Sequence, residues 1–91
     1  MVDARFLAAV DALPLGYSRG TCDNRRWGVT LDASPDGCCR WLYGEALDGS
    51  DHVSFNLYRL GAGPALRPCE MPVAKVIGFV LGYTPDGEAR R

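Results

Sequence analysis

The sequence predicts a small α+β domain in which an antiparallel sheet of three or four strands is flanked by an N-terminal and a C-terminal helix. Apolar residues recur at helical spacing near both ends of the chain. Between these ends, short segments alternate apolar with polar residues and are separated by turn-forming residues. The predicted order is α-β-β-β-β-α, and a length of 91 residues fits one domain, 1–91, with one core.

The first helix is predicted at about 4–12. Asp3 can cap its N-terminus through the side chain, and Pro14 with Gly16 ends the run. The apolar residues near helical spacing are Phe6, Leu7, Val10 and Leu13.

Four strands are predicted after this helix, and the first is the weakest because it contains two glycines. Their ranges are about 16–22, 25–32, 38–44 and 52–60. Asp23 and Asn24 both tolerate the positive φ of a two-residue hairpin turn. The segment 34–37 combines Ser, Pro, Asp and Gly and predicts a second tight turn. The glycines and prolines of 61–70 predict a loop.

The second helix is predicted at about 72–82, with Pro72 as its first residue and Gly82 as a left-handed C-terminal cap. The tail 86–91 is expected to fray. One continuous apolar stripe is predicted along this helix, formed by Val73, Val76, Ile77, Val80 and Leu81.

Both helices are expected to cover the same face of the sheet and to leave the other face open to water or a partner. The residues predicted beneath the helices are Trp27, Val29, Leu31, Val53, Phe55 and Leu57. If Leu42 points into this core, its neighbours on the third strand lie on the open face. Aromatic and hydrogen-bonding side chains together are typical of interfaces. The candidate binding residues are Arg26, Trp41, Tyr43, Ser54, Asn56 and Tyr58. Aromatic residues also favour strands in general, so a purely structural role stays open for them.

The cysteines suggest a different class of function. Cys22, Cys38, Cys39 and Cys69 form no C-x-x-C pair and have no flanking His, so neither a metal site nor a cofactor is expected. Cys69 precedes the predicted second helix, and a helix N-terminus favours the nucleophilic thiolate. The alternatives are therefore a thiol-dependent enzyme or redox accessory using Cys69, and a small-ligand binder at the 61–70 loop. A buried, structural Cys69 is the favoured interpretation, because Glu70 opposes ionisation.

Charge and chain composition exclude other classes. The formal net charge is −1, which provides no long-range attraction to nucleic acid or to an anionic membrane. Asp3 and a short apolar stretch do not form a signal peptide, and no segment is apolar for long enough to span a membrane. A cytoplasmic location with reduced thiols is therefore expected.

Without the weak first strand, the element order resembles that of double-stranded-RNA-binding domains. The resemblance implies a basic cluster at the start of the second helix, but the segment 70–75 contains only one Lys. RNA binding is therefore not expected. The segments 26–30, 53–58 and 68–72 are similar to those of small bacterial proteins, a resemblance that implies no particular activity. A non-enzymatic interaction module, binding a protein partner or a second copy of itself, is the favoured function.

Overall fold

A computed structural model of the chain describes residues 3–61 and 63–86. The elements are α1 (Ala4–Ala12), β1 (Gly16–Cys22), β2 (Arg25–Ala33), β3 (Cys39–Ala46), β4 (His52–Leu60), β5 (Gly63–Pro68), α2 (Val73–Gly82) and β6 (Thr84–Pro85). The sheet is antiparallel, and its strands are ordered β5-β4-β3-β2-β1-β6. The predicted α+β class, with two helices flanking an antiparallel sheet, is confirmed. The helices have nine and ten residues, and no helix in the described ranges is long and apolar enough to cross a membrane.

The sheet contains six strands instead of the predicted three or four, because two short strands occupy its edges. The segment 61–70, predicted as a loop, contains β5, which pairs with β4 from Leu60↔Gly63 to Phe55↔Pro68. The two-residue strand β6 pairs with β1 beside Gly20 and Thr21. Edge strands tolerate proline, which explains how a proline-containing segment extends the sheet.

The turns follow from local sequence. Asp23 and Asn24 have φ values of 54° and 63°, as expected for the tight hairpin between β1 and β2. In the turn after β2, the amide of Gly37 donates to the carbonyl oxygen of Ser34 at 2.9 Å. The hydroxyl of Ser34 donates to the carboxylate of Asp36 at 2.7 Å, and this bond lowers the pKa of Asp36. These short turns join consecutive strands into a meander.

Helix α1 begins as predicted, since the amide of Phe6 donates to the side chain of Asp3 at 2.9 Å. Both ends of helix α2 differ from the prediction. Pro72 is the N-cap and not the first helical residue, and the helix ends at Gly82 without a left-handed cap. Instead Tyr83 continues in extended backbone towards β6. The predicted frayed tail lies outside the described residues except for Asp86, whose carboxylate accepts from Arg26.

The buried stripe of α2 is rotated relative to the predicted one. Val76 and Val80 are buried, but Val73 and Leu81 are 41% and 39% exposed. Phe79 takes their place in the core, with its ring 4.6 Å from that of Trp27. The six sheet residues predicted beneath the helices are all buried.

Each helix is also tied to the sheet by a carboxylate that meets two cations. On α1, Asp11 contacts Arg59 at 3.0 Å and Arg40 at 3.5 Å. At the start of β4, Asp51 contacts Lys75 of α2 at 2.6 Å and Arg25 at 3.6 Å. The three arginines lie on the face of the sheet that carries the core, and Asp11 and Lys75 reach them or their partner from the two helices, so both helices cover one side of the sheet.

The outer edge of β5 has few free amide donors. The amide of Cys69 donates to the carbonyl oxygen of Ser54 on β4. In an antiparallel pair, the backbone groups of successive residues point alternately towards the partner strand and away from it. The backbone groups of Pro64, Leu66 and Pro68 therefore point away from β4. Proline has no N–H. Leu66 consequently offers the one outward amide donor among these three residues.

Candidate functional site

The face of the sheet opposite the helices, called here the open face, carries the outward side chains of β1 to β5. Its centre consists of two rows that run across neighbouring strands. One row is Tyr17, Thr30, Tyr43 and Ser54, and the next is Asp32, Trp41, Asn56 and Arg67. Buried core residues alternate with these positions along β2, β3 and β4, which fixes which side chains point outward.

Five of the six sequence-predicted site residues lie together on the open face. Trp41 and Tyr43 of β3 are 40% and 50% exposed. Opposite them on β4 lie Asn56 and Ser54, both half-buried, and Tyr58 follows one position further along the same face. The expected orientation of Leu42 is observed, since this side chain is 2% exposed within the core.

The sixth predicted residue, Arg26, lies on the same face but away from this cluster. Thr30 is the fourth residue after it on β2, about 13 Å away along an extended strand. Its guanidinium donates to the carboxylate of Asp86 at 2.8 Å and to the hydroxyl of Thr21 at 3.2 Å. The bond to Asp86 raises the pKa of Arg26. Arg26 therefore holds β6 beside β1, and the structure does not bring it to the aromatic cluster.

Tyr17 is the residue that sequence reasoning missed. It is 60% exposed, and its side chain lies over Gly28. A Cβ at position 28 would clash with the tyrosine hydroxyl where it now stands. The side chain of Arg19 donates to this hydroxyl at 3.3 Å. Alternation of Tyr17, Arg19 and Thr21 along β1 is the signal that identifies the outward residues, once β1 is accepted as a strand.

A third row on the open face contains a carboxylate and a histidine. Glu45 of β3 lies opposite His52 of β4, and Gly28 lies opposite Glu45 on the other side. Both Glu45 and His52 are exposed. No ion pair within residues 3–61 and 63–86 involves either of them, nor Asp32 or Arg67 in the central row. These four groups therefore meet solvent.

The cysteines do not form a common site. Cys22 is buried near the backbone of Phe79, and burial raises the pKa of its thiol. Cys69 is exposed, so the favoured interpretation of a buried structural thiol was wrong. It lies beyond the end of β5, where the sequence predicted a loop over the core. No three metal-ligating side chains come together in the part of the chain that is described.

A groove of about 440 Å³ lies between α1 and the start of β5, next to the segment that was predicted as a ligand-binding loop. Its lining is mostly apolar but includes the charged residues Arg59 and Asp11. Asp11 is shared with Arg40, so two guanidiniums meet one carboxylate. Within the described residues, the buried Nε atoms of Arg40 and Arg59 have no hydrogen-bond partner.

Comparison with known proteins adds no family to this geometry. No protein-family model, no curated protein and no solved structure matches the chain. The candidate site is therefore argued from its residues alone.

Proposed function

We propose that this chain is a small non-enzymatic interaction module that binds a protein partner on its open face. The observation that carries the proposal is the exposure of Tyr17, Trp41 and Tyr43 on a side of the sheet that neither helix covers. Tyrosine and tryptophan provide a large contact area and lose little side-chain entropy on binding. The proposal places the interaction in the cytoplasm, where the free cysteines remain thiols.

Polar groups between the aromatic side chains support specific recognition of a partner in addition to apolar contact with it. Thr30, Ser54 and Asn56 are half-buried between larger neighbours. Their hydroxyl and amide groups can exchange hydrogen bonds with water for hydrogen bonds with a partner. An apolar anchor surrounded by such groups is the usual composition of a specific interface.

The edge of the sheet favours binding to the face over addition of a strand. A partner strand that pairs with β5 needs backbone donors along its outer edge. Pro64 and Pro68 remove two of the three outward donors in this segment. A partner therefore gains more from the side chains of the open face than from the β5 ladder.

The Cys69 alternative has less support than the interaction module. Its thiol is exposed, and no side-chain hydrogen bond to it occurs within the described ranges. A nucleophilic thiol needs a base or a charged neighbour that promotes ionisation.

Site-specific photo-crosslinking tests the proposal. A benzoylphenylalanine placed at Tyr43 should form a defined protein adduct in the cells that produce the protein. The same probe placed at Val73, which is similarly exposed on α2, is the matched control and should not form that adduct. Trp41→Ala and Tyr58→Ala should each weaken the adduct while the far-UV CD spectrum stays unchanged. Identical adducts from both probe positions, or full adduct yield in both alanine variants, would contradict the proposal.

The groove beside α1 favours a second candidate function, the binding of a small anion with an apolar tail. Two guanidiniums with one carboxylate leave a net positive charge, and the guanidinium of Arg59, which lines the groove, can donate to an added anion. Octanoate is a suitable probe, with octanol as the uncharged comparison. An NMR titration should show binding of octanoate that Arg59→Gln abolishes and that Arg67→Gln, on the open face, retains. Equal binding of octanol, or octanoate binding by the Arg59→Gln variant, would rule this candidate out.

A further inference from the structure

We infer that the partner of the open face is a second copy of this chain, packed face to face about a twofold axis that runs between β3 and β4, parallel to the strands. This inference rests on the proposed function and names its partner. A half-turn about such an axis places β3 opposite β4 of the second copy and β2 opposite its β5. Each cross-strand row then faces the same row of the other copy.

Shape is the first argument for this arrangement. In the two central rows, the large side chains Trp41 and Tyr43 lie on β3, and the smaller Asn56 and Ser54 lie opposite them on β4. The half-turn sets each large side chain over a small one of the other copy. The next row has the reverse order, with Cys39 on β3 and Tyr58 on β4, and the half-turn again matches large with small. A half-turn about this axis also carries a twisted sheet onto the same twist, so the two faces stay parallel.

Charge is the second and independent argument. Asp32 lies on β2 and Arg67 on β5, at opposite ends of the row that contains Trp41 and Asn56. The half-turn places Asp32 of each copy over Arg67 of the other. In the third row, it likewise places the carboxylate of Glu45 over the imidazole of His52, which can donate a hydrogen bond. The interface therefore contains four complementary contacts from groups that make no ion pair within one copy in the described residues. A twofold interface requires this kind of self-complementarity.

The contact area indicates a concentration-dependent dimer. Four strands about 4.8 Å apart, each overlapping over about seven residues, cover roughly 19 by 23 Å of each copy. Both copies together contribute on the order of 900 Å² of flat area, below the roughly 1,200–2,000 Å² of stable specific interfaces. Side-chain relief adds to this area. The dimer should accordingly form at high protein concentration and separate on dilution.

Charge reversal provides the test. Sedimentation equilibrium of the wild-type chain should show a monomer–dimer equilibrium. Asp32→Arg and Arg67→Asp should each weaken it at least tenfold, because each places like charges opposite one another twice. An equimolar mixture of the two variants should form a heterodimer, visible in native mass spectrometry. The double variant should dimerise again. Arg5→Asp, an exposed reversal on α1, is the matched control and should leave the equilibrium unchanged.

The possible outcomes separate this inference from the proposed function. A wild-type chain that stays monomeric at the highest concentration overturns the homodimer, whereas a Trp41-dependent adduct with another protein still supports the interaction module. A dimer that resists both single reversals and Trp41→Ala uses another surface, and it overturns the homodimer on the open face. Rescue by mixing the two reversed variants supports the assigned axis, since only opposed rows can restore both contacts.

Discussion

The two faces of the sheet place neighbouring residues of one strand in opposite surroundings. On β4, Val53, Phe55 and Leu57 are fully buried beneath the helices, while Ser54 and Asn56 between them are half-buried on the open face. On β3, Leu42 is 2% exposed and lies between Trp41 and Tyr43, which are 40% and 50% exposed. This contrast indicates that the hydrophobic burial that stabilises the fold takes place on the covered face. The open face can therefore vary in its side chains with little effect on the fold.

Truncation of one large aromatic residue on each face should give the largest difference. Phe55 packs against Phe6, with ring centroids 6.0 Å apart, and Phe55→Ala should reduce the free energy of unfolding by about 3–5 kcal/mol. Trp41→Ala removes a partly exposed side chain, and should cost about 1 kcal/mol or less. Urea unfolding followed by far-UV CD measures both. Equal losses would show that Trp41 belongs to the core and that the contrast between the faces is wrong.

Two glycines allow a second, smaller test of the same contrast. On the covered face, a Cβ at Gly20 would lie 2.3 Å from the carbonyl oxygen of Thr84, so backbone must move, and Gly20→Ala should cost about 1–3 kcal/mol. On the open face, a Cβ at Gly28 would meet only the hydroxyl end of Tyr17, which can rotate away. Gly28→Ala should therefore change the thermal unfolding midpoint little but shift the NMR signals of Tyr17. A larger loss for Gly28→Ala than for Gly20→Ala would contradict this account.

The smallest expected effect concerns the ion pairs at the rim of the covered face. The hydrogen bond from Lys75 lowers the pKa of Asp51. A depressed folded-state pKa means that the carboxylate stabilises the fold above the unfolded value near 3.9, and that this contribution disappears as the pH falls through the folded pKa. Because Asp51 is partly exposed, Asp51→Asn should cost less than about 1 kcal/mol at neutral pH and nothing in acid.

Comparison of urea midpoints for the wild type and Asp51→Asn at neutral and acid pH measures this effect. Lys75→Gln should remove most of this contribution at neutral pH, because Arg25 still contacts Asp51, and the double variant should lose little more than Asp51→Asn alone. Additive losses in the double variant would show that the two groups stabilise the fold separately.

The elements that sequence predicted best are those with strong local signals. The capping side chain of Asp3 and the Asp23–Asn24 turn both act within a few residues of chain, and both occur as expected. The edge strands β5 and β6 were missed because pairing with a neighbour, and not local preference, makes them strands. The buried stripe of α2 was misplaced because the docking of Phe79 against Trp27 is a tertiary contact that helical spacing does not specify.

The candidate site could be predicted to the extent that alternation along a strand shows which side chains share a face. Alternation along β3 and β4 placed Trp41, Tyr43 and Asn56 on one face, and the observed register brings them together. Tyr17 was missed because the glycines of β1 weaken its strand signal. The placement of Asp32 and Arg67 at the two ends of one row could not be foreseen, since it depends on the position of β5 in the sheet.

The two prolines of β5 have a further consequence for how this protein avoids aggregation. A sheet with an unpaired edge and one uncovered side can act as a template for cross-β fibrils, which grow by adding backbone hydrogen bonds strand after strand. Pro64 and Pro68 interrupt that template because they occupy two of the three outward positions of β5. They thereby limit polymerisation through the β5 edge of a sheet that exposes aromatic side chains on one face.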